Sequence, residues 1–409
     1  MLGCAGSKLL DQARHGQHRA LRAELLRHPP SNRAARQLAQ ETLSYEVSHA
    51  QDRIDRAFIR SLATCSAGLS DALAKRAQIK DGVGAEAAML LIELKKLPQA
   101  ERFSEDQDGA WRALAARQSA GAERVRYFSD ADERVRLAAL GAAEQSPDPD
   151  EVADLLEVVR LDPSPDVKLR AIRTLAHLDD ASLAQALRDR YPSLDEPLRI
   201  AVVEAWGTPP LLEHGGRKQL KDTMGQRASL ETVVAASILA RDPTPEVHNP
   251  ALTRLERLMS EGTLAEQRLA LILMPVHHLT TTQLLLAAAA NGPSELAVIA
   301  WSRLLSHDAY RARAERALLQ WVKQREDDTL ALQAQSALAA GGSRAIHAVL
   351  RSQLDSKAPL SRKWAAFGLV RLGALSDASI LVADQDQQVR RSVACRILSA
   401  PKVPVRADN

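Results

Sequence analysis

Apolar residues recur at three- and four-residue spacing along most of the chain, the pattern that one buried helix face imposes. Leu9 to Leu26, Ala34 to Leu73 and Ala85 to Leu97 carry it. Strictly alternating runs of Val, Ile and Thr, which a half-buried strand would need, are absent. From Tyr127 onward the pattern repeats itself. Asp132-Glu133-Arg134-Val135-Arg136-Leu137-Ala138-Ala139-Leu140 aligns with Asp166-Val167-Lys168-Leu169-Arg170-Ala171-Ile172. Both read as a turn, an aliphatic, a basic residue and then small core positions. The frame returns at Leu198 to Val203, Leu230 to Val234, Leu296 to Trp301, Leu330 to Ala334, Leu360 to Ala365 and Asp386 to Ala394. Gln267 to Leu271 fills the remaining gap in a shifted register. Ala139 and Val393 bracket eight intervals, a period of about 32 residues.

That period holds two helices of ~12 residues and two short connections, the unit of an α-solenoid. The predicted fold is all-α, a superhelix of stacked antiparallel helix pairs. Its punctuation agrees. Ser146-Pro147-Asp148-Pro149-Asp150, Asp162-Pro163-Ser164-Pro165-Asp166 and Asp242-Pro243-Thr244-Pro245-Glu246 combine helix breakers with capping carboxylates. Gly341-Gly342 reads as a helix stop. Asp132 and Asp166 stand where a cap for the second helix is expected, and Ser31 or Asn32 caps the helix that follows Pro29-Pro30.

The D-x-x-V-R-x-x-A-L frame resembles the short HEAT-like repeats of bacterial proteins and of phycobilisome-lyase-like families. The resemblance covers Tyr127 to Ala400, and the Trp-Leu-Gly-Tyr signature of tetratricopeptide repeats is not repeated. The predicted organisation is therefore a possible lipobox remnant and tether at 1–7 and a helical cap or divergent repeats at 8–126. The HEAT-like array follows at 127–400, and a disordered tail at 401–409. Because each repeat of a solenoid touches only its neighbours, removing Gln387 to Asn409 is expected to leave a shorter folded protein.

Composition alters this picture little. Apolar residues make up 45% of the 409 residues and aromatics 3%, so Ala and Leu supply the core. Net charge is +3 among 54 basic and 51 acidic residues. It is uneven, with 13 Lys/Arg and 7 Asp/Glu from Met1 to Lys80 but 9 and 16 from Tyr127 to Arg199. The acidic centre disfavours a nucleic-acid groove. Cys4, Cys65 and Cys395 have no metal-ligand spacing. Cys65 and Cys395 lie in helical patterns and read as small core residues, outside any disulfide framework.

Met1-Leu2-Gly3-Cys4 resembles the end of a bacterial lipoprotein signal, in which the Cys is acylated, although no charged and apolar region precedes it. Two readings stay open. Cys4 carries a lipid at a bacterial cell envelope, with Ala5 to Ser7 as tether, or it is an incidental thiol of a cytoplasmic protein.

No nucleotide-binding, hydrolase or zinc motif occurs. No catalytic residue, cofactor or metal site is predicted. His277-His278 reads as a surface pair and Glu213-His214-Gly215-Gly216 as a structural loop. Trp206, Trp301, Trp364 and Trp321 read as core fillers. Arg136, Lys168, Arg199 and Arg390 recur just after the first aliphatic of the second helix. They read first as structural, each paired with an acid of the neighbouring repeat, and second as a basic groove. The function expected is a non-catalytic, monomeric protein-binding scaffold with an unidentified protein partner. Its contact with a membrane runs only through a lipid on Cys4. A nucleic-acid-binding or DNA-repair protein is the alternative, and a bilin-lyase-like protein, suggested only by the resemblance, comes third.

Overall fold

The computed structural model describes residues 4–96, 103–275, 279–324 and 329–401, and every regular element among them is helical. The nine repeat frames fall in nine separate helices: Glu133–Gln145, Pro165–Leu175, Glu196–Trp206, Leu230–Leu239, Leu264–Leu273, Ser294–Leu304, Thr329–Ala340, Pro359–Arg371 and Gln387–Ser399. Their first residues, Glu133 and Gln387, are eight steps and 254 residues apart, which is the predicted period of about 32.

The small residues of the frame have a packing reason. The Glu133–Gln145 helix buries Val135, Ala138, Ala139, Leu140, Gly141, Ala142 and Ala143, almost its whole circumference. It packs against a helix on either side and is therefore apolar nearly all round. The Val152–Leu161 helix, the outer member of its pair, buries only the stripe Leu155, Val158 and Val159. Alternation of these two helix types is the physical content of the repeat.

The turns hold as read, with one correction. Asp132 caps its helix by accepting the amide of Arg134, and Asp386 accepts those of Gln388 and Val389. At the second frame the cap is Ser164, and Asp166 instead occupies the first turn, where a carboxylate faces the positive end of the helix.

The helices fall into two compact units, Gln99–Ala300 and a second made of Met1–Pro98 with Trp301–Asn409. In the first, the Gly109–Gln118 helix begins a stack that continues through the helices starting at Glu133, Pro165, Glu196, Leu230 and Leu264. The repeat thus starts before Tyr127. In the second, the stack of Thr329–Ala340, Pro359–Arg371 and Gln387–Ser399 continues into Asn32–Ser48, from the other end of the chain. The segment before residue 127, expected as a helical cap or divergent repeats, is divided between the two units. Its first part covers the last repeat.

Ala5 to Ser7 are helical, the opening of Cys4–Arg14, where a flexible tether was expected. The side chain of Cys4 and residues 402–409 of the expected tail lie outside the described residues, as do His277 and His278.

Candidate functional site

The recurring arginine is built into the repeat by a two-part turn. In Asp106-x-Asp108, Asp130-x-Asp132, Asp162-x-Ser164, Asp242-x-Thr244 and Asp384-x-Asp386 the first Asp accepts the backbone amide two residues on, at 2.8–2.9 Å. The second position is the residue that precedes a helix, an inner one in every case but Thr244, which precedes Pro245–Glu261. The arginine near the start of the inner helix folds back over the turn. Arg136 donates to the carbonyls of Asp130 and Ala131 at 2.8 and 3.3 Å, then reaches both oxygens of Asp162 in the next turn at 2.7 and 3.0 Å. Arg112 does the same with the carbonyls of Asp106 and Gln107 and with Asp130. Arg362 does so with the carbonyls of Ser356 and Lys357 and with Asp384. One guanidinium therefore closes its own turn and clamps the following one, a geometry that a planar five-donor fork allows and an ammonium does not.

This settles the roles of the predicted ladder residues. Arg136, Arg199 and Arg390 are each paired with a carboxylate: Asp162, Glu231 and Glu46. Lys168 is different, since its ammonium lies 3.5 Å from the carbonyl of Arg160 and is exposed. Arg112 and Arg362 belong to the ladder too. Both share the frame, in Trp111-Arg112-Ala113 and Ser361-Arg362-Lys363, and the Asp two residues before the cap is the signal that would have found Arg112.

The densest cluster sits where the two ends of the chain meet. Glu46, 3% exposed, accepts from Arg390 at 2.7 and 3.1 Å, from Arg391 at 2.9 Å and from Gln387 at 2.9 Å. Burial alone would raise the pKa of Glu46, but the hydrogen bonds from Gln387 and Arg390 and the charges of Arg390 and Arg391 outweigh it and hold the carboxyl below its ordinary value. His18, 3.7 Å from Glu46, is pushed down by burial first and by the charge of Arg390 second. Arg391 continues to Asp55 at 2.5 Å and lies 3.9 Å over the ring of Phe58. Arg36 donates to the carbonyls of Ile397, Ala400 and Pro401, satisfying the open end of the last helix. Ser31 is the cap of the Asn32–Ser48 helix, which frees Asn32 to bond the carbonyl of Gly373 and the amide of Ser376.

A disulfide joins Cys65 to Cys395, 330 residues apart, in the same junction. This corrects the reading of both as isolated core cysteines. They are buried as expected, yet paired, because the ends of the chain stack as consecutive repeats. No spacing within the sequence carries that information.

The other candidates resolve simply. Glu213 to Gly216 form a single wide turn in which His214 meets Asp179 at 2.7 Å and Gly215 takes a φ of 100°, a left-handed conformation suited to glycine. Trp206 is fully buried and donates to the carbonyl of Ala184, and Trp301 is also buried. Trp321 and Trp364 are only half-buried, so the core reading holds for two of the four. Among the described residues no group of His, Cys, Asp and Glu is arranged to hold a metal ion, and no helix is long and apolar enough to cross a membrane.

Stacked helix pairs, clamped turn to turn by arginine, define a HEAT-like helical-repeat protein. Residues 123–207 match the family model of HEAT repeats. No curated protein matches the chain. Among solved structures, the crystal structure of an engineered protein aligns over 84% of this chain and 98% of its own, at 17% identity and a TM-score of 0.28.

Proposed function

We propose that the protein is a non-catalytic scaffold that holds a protein partner on its repeat surface, outside the cytoplasm and tethered through a lipid on Cys4. The observation that carries the scaffold reading is the ladder. Arg112, Arg136, Arg199, Arg362 and Arg390 are spent on internal carboxylates and turn carbonyls. The basic residues that recur in the sequence therefore serve the stack, and all but Lys168 are withdrawn from any phosphate-binding groove. This weighs against the nucleic-acid alternative, for which a salt-dependent mobility shift with duplex or single-stranded DNA is the decisive opposing result.

The Cys65–Cys395 bond supports the compartment, since disulfides form and persist in oxidising surroundings. Leu2, Gly3 and Cys4 support the anchor. The test is metabolic labelling with a fatty-acid probe in cells that express the gene with its native upstream region. Label on the wild type and none on Cys4→Ser is the expected result. An unlabelled protein in the soluble fraction, with Cys65 and Cys395 free, removes both anchor and compartment. Affinity capture after crosslinking in the envelope fraction then identifies the partner.

A further inference from the structure

We infer that the meeting of the chain's two ends is an oxidation-locked latch, in which the Cys65–Cys395 bond and the docking of the Asn32–Ser48 helix on the Gln387–Ser399 helix protect one another.

The argument begins with what the docking contains. Beside the disulfide, the Arg36 bonds and the packing of the two helices, the junction contains a buried carboxylate, Glu46, that takes three donors from the last helix, Gln387, Arg390 and Arg391. These contacts are noncovalent, so separating the ends exposes Glu46 and its partners to water, which solvates them again. Such a contact is strong when formed but has a ready alternative. The disulfide removes that alternative. Cys395 lies one helical turn beyond Arg390 and Arg391, so fixing it to Cys65 holds both guanidiniums at Glu46 and Asp55.

The protection also runs the other way. Cys65 and Cys395 are 5% and 9% exposed, and Thr64 covers the Cys395 sulfur at 3.6 Å. A thiol or phosphine must approach a sulfur in line with the bond it breaks, and the burial of both cysteines in the docked ends hinders such an approach. Opening of the junction therefore precedes exchange. In the open state, a thiolate of Cys65 or Cys395 attacks an external disulfide and expels one thiolate. The second cysteine then attacks the mixed disulfide and expels the other. Cys65 and Cys395 lose two electrons and two protons in total, and the external disulfide leaves as two thiols. The latch is thus set by a small-molecule or protein disulfide, and it stays set while the ends remain docked. It does not depend on the lipid anchor, since the purified chain without an acyl group would latch in the same way.

The experiment uses the full-length Cys4→Ser protein, oxidised, so that only Cys65 and Cys395 yield thiols. Tris(2-carboxyethyl)phosphine is added under native conditions, and released thiols are counted by maleimide labelling and mass. Reduction is expected to run at least ~100-fold slower than in urea-unfolded protein and to accelerate about tenfold or more in Glu46→Gln. Asp55→Asn, which leaves Glu46 in place, should accelerate it by a smaller factor and serves if Glu46→Gln does not fold. After reduction, deuterium uptake should rise at least ~10-fold in residues 32–48 and 387–399 and stay unchanged in 133–145. Native reduction as fast as in the unfolded chain would overturn the latch. So would unchanged uptake in the two docked helices after reduction, or oxidised protein that releases no thiols.

Discussion

The ladder position offers a comparison inside one molecule, because the same repeat frame carries Arg136, Lys168 and Arg199 in three different environments. Replacing each by Met keeps most of the aliphatic volume and removes the charge. At Arg136 the loss is two bonds to Asp162 and two to turn carbonyls, in a pair whose side chains are 9% and 4% exposed. Asp162 retains only the amide of Ser164 and stays buried as an uncompensated charge, so Arg136→Met should cost about 3–5 kcal/mol. Arg199 is 32% exposed, and water partly replaces what it loses, so Arg199→Met should cost about 2 kcal/mol. Lys168 pairs with no carboxylate, and Lys168→Met should fall within about 0.5 kcal/mol. Stacked repeats open locally, so the assay is amide exchange resolved by segment rather than one global melting curve. In Arg136→Met the amides of residues 130–136 should exchange about a hundredfold faster or more, since each 1.4 kcal/mol is a factor of ten. The double variant Arg136→Met/Asp162→Leu should recover most of the loss, because it removes the stranded charge as well. Equal losses at Arg136 and Lys168 would refute the reasoning, as they would mean that the frame position itself, and not the carboxylate partner, sets the cost.

Three further outcomes follow from the junction and the core. The folded pKa of Glu46 lies below its ordinary value, so the unfolded chain takes up its proton first as pH falls. Its contribution is complete above the ordinary glutamate range and is lost as pH drops through the lower folded value. His18, also depressed, begins to weaken the same docking below its ordinary value near 6.5, so exchange in residues 32–48 should quicken in two stages on acidification, and His18→Gln should abolish the first. Replacing Cys65 and Cys395 together by Ala frees a loop of 330 residues. The chain-entropy relation gives about 6 kcal/mol as an upper bound, and denaturation of the oxidised wild type beside the variant measures it, with no difference as the opposing result. Trp206→Ala should cost about 3–5 kcal/mol through its cavity, as read by helical circular dichroism during unfolding.

What the sequence makes legible is whatever a repeat copies locally. Asp132 caps its helix and Arg136 clamps the next turn within 26 residues of chain, so aligned copies expose both the frame and the pairing. The copies also explain a misreading. Ser164 and Asp166 are both capping types two residues apart, and alignment on the carboxylate picks the wrong one, because Pro165 already occupies the first helical position. The junction has no such copies. Glu46 is one more polar residue in an amphipathic helix, and Arg390 finds it 344 residues away, where an ordinary repeat would find its acid in the following turn.

That substitution of a distant partner for a neighbouring one changes the truncation expectation as well. Removing Gln387 to Asn409 does not shorten a free end. It strips Glu46 of Gln387, Arg390 and Arg391, uncovers the Asn32–Ser48 helix and discards half of the disulfide. A solenoid's last repeat ordinarily needs a polar outer face to remain soluble. Here the last repeat buries Val389, Val393 and Ile397, and the beginning of the chain is stacked beside it. The truncated protein should therefore lose cooperative structure across residues 32–48 while the helices from Glu133 to Leu273 keep theirs. Segment-resolved exchange separates that result from the uniform retention that independent neighbouring repeats would give.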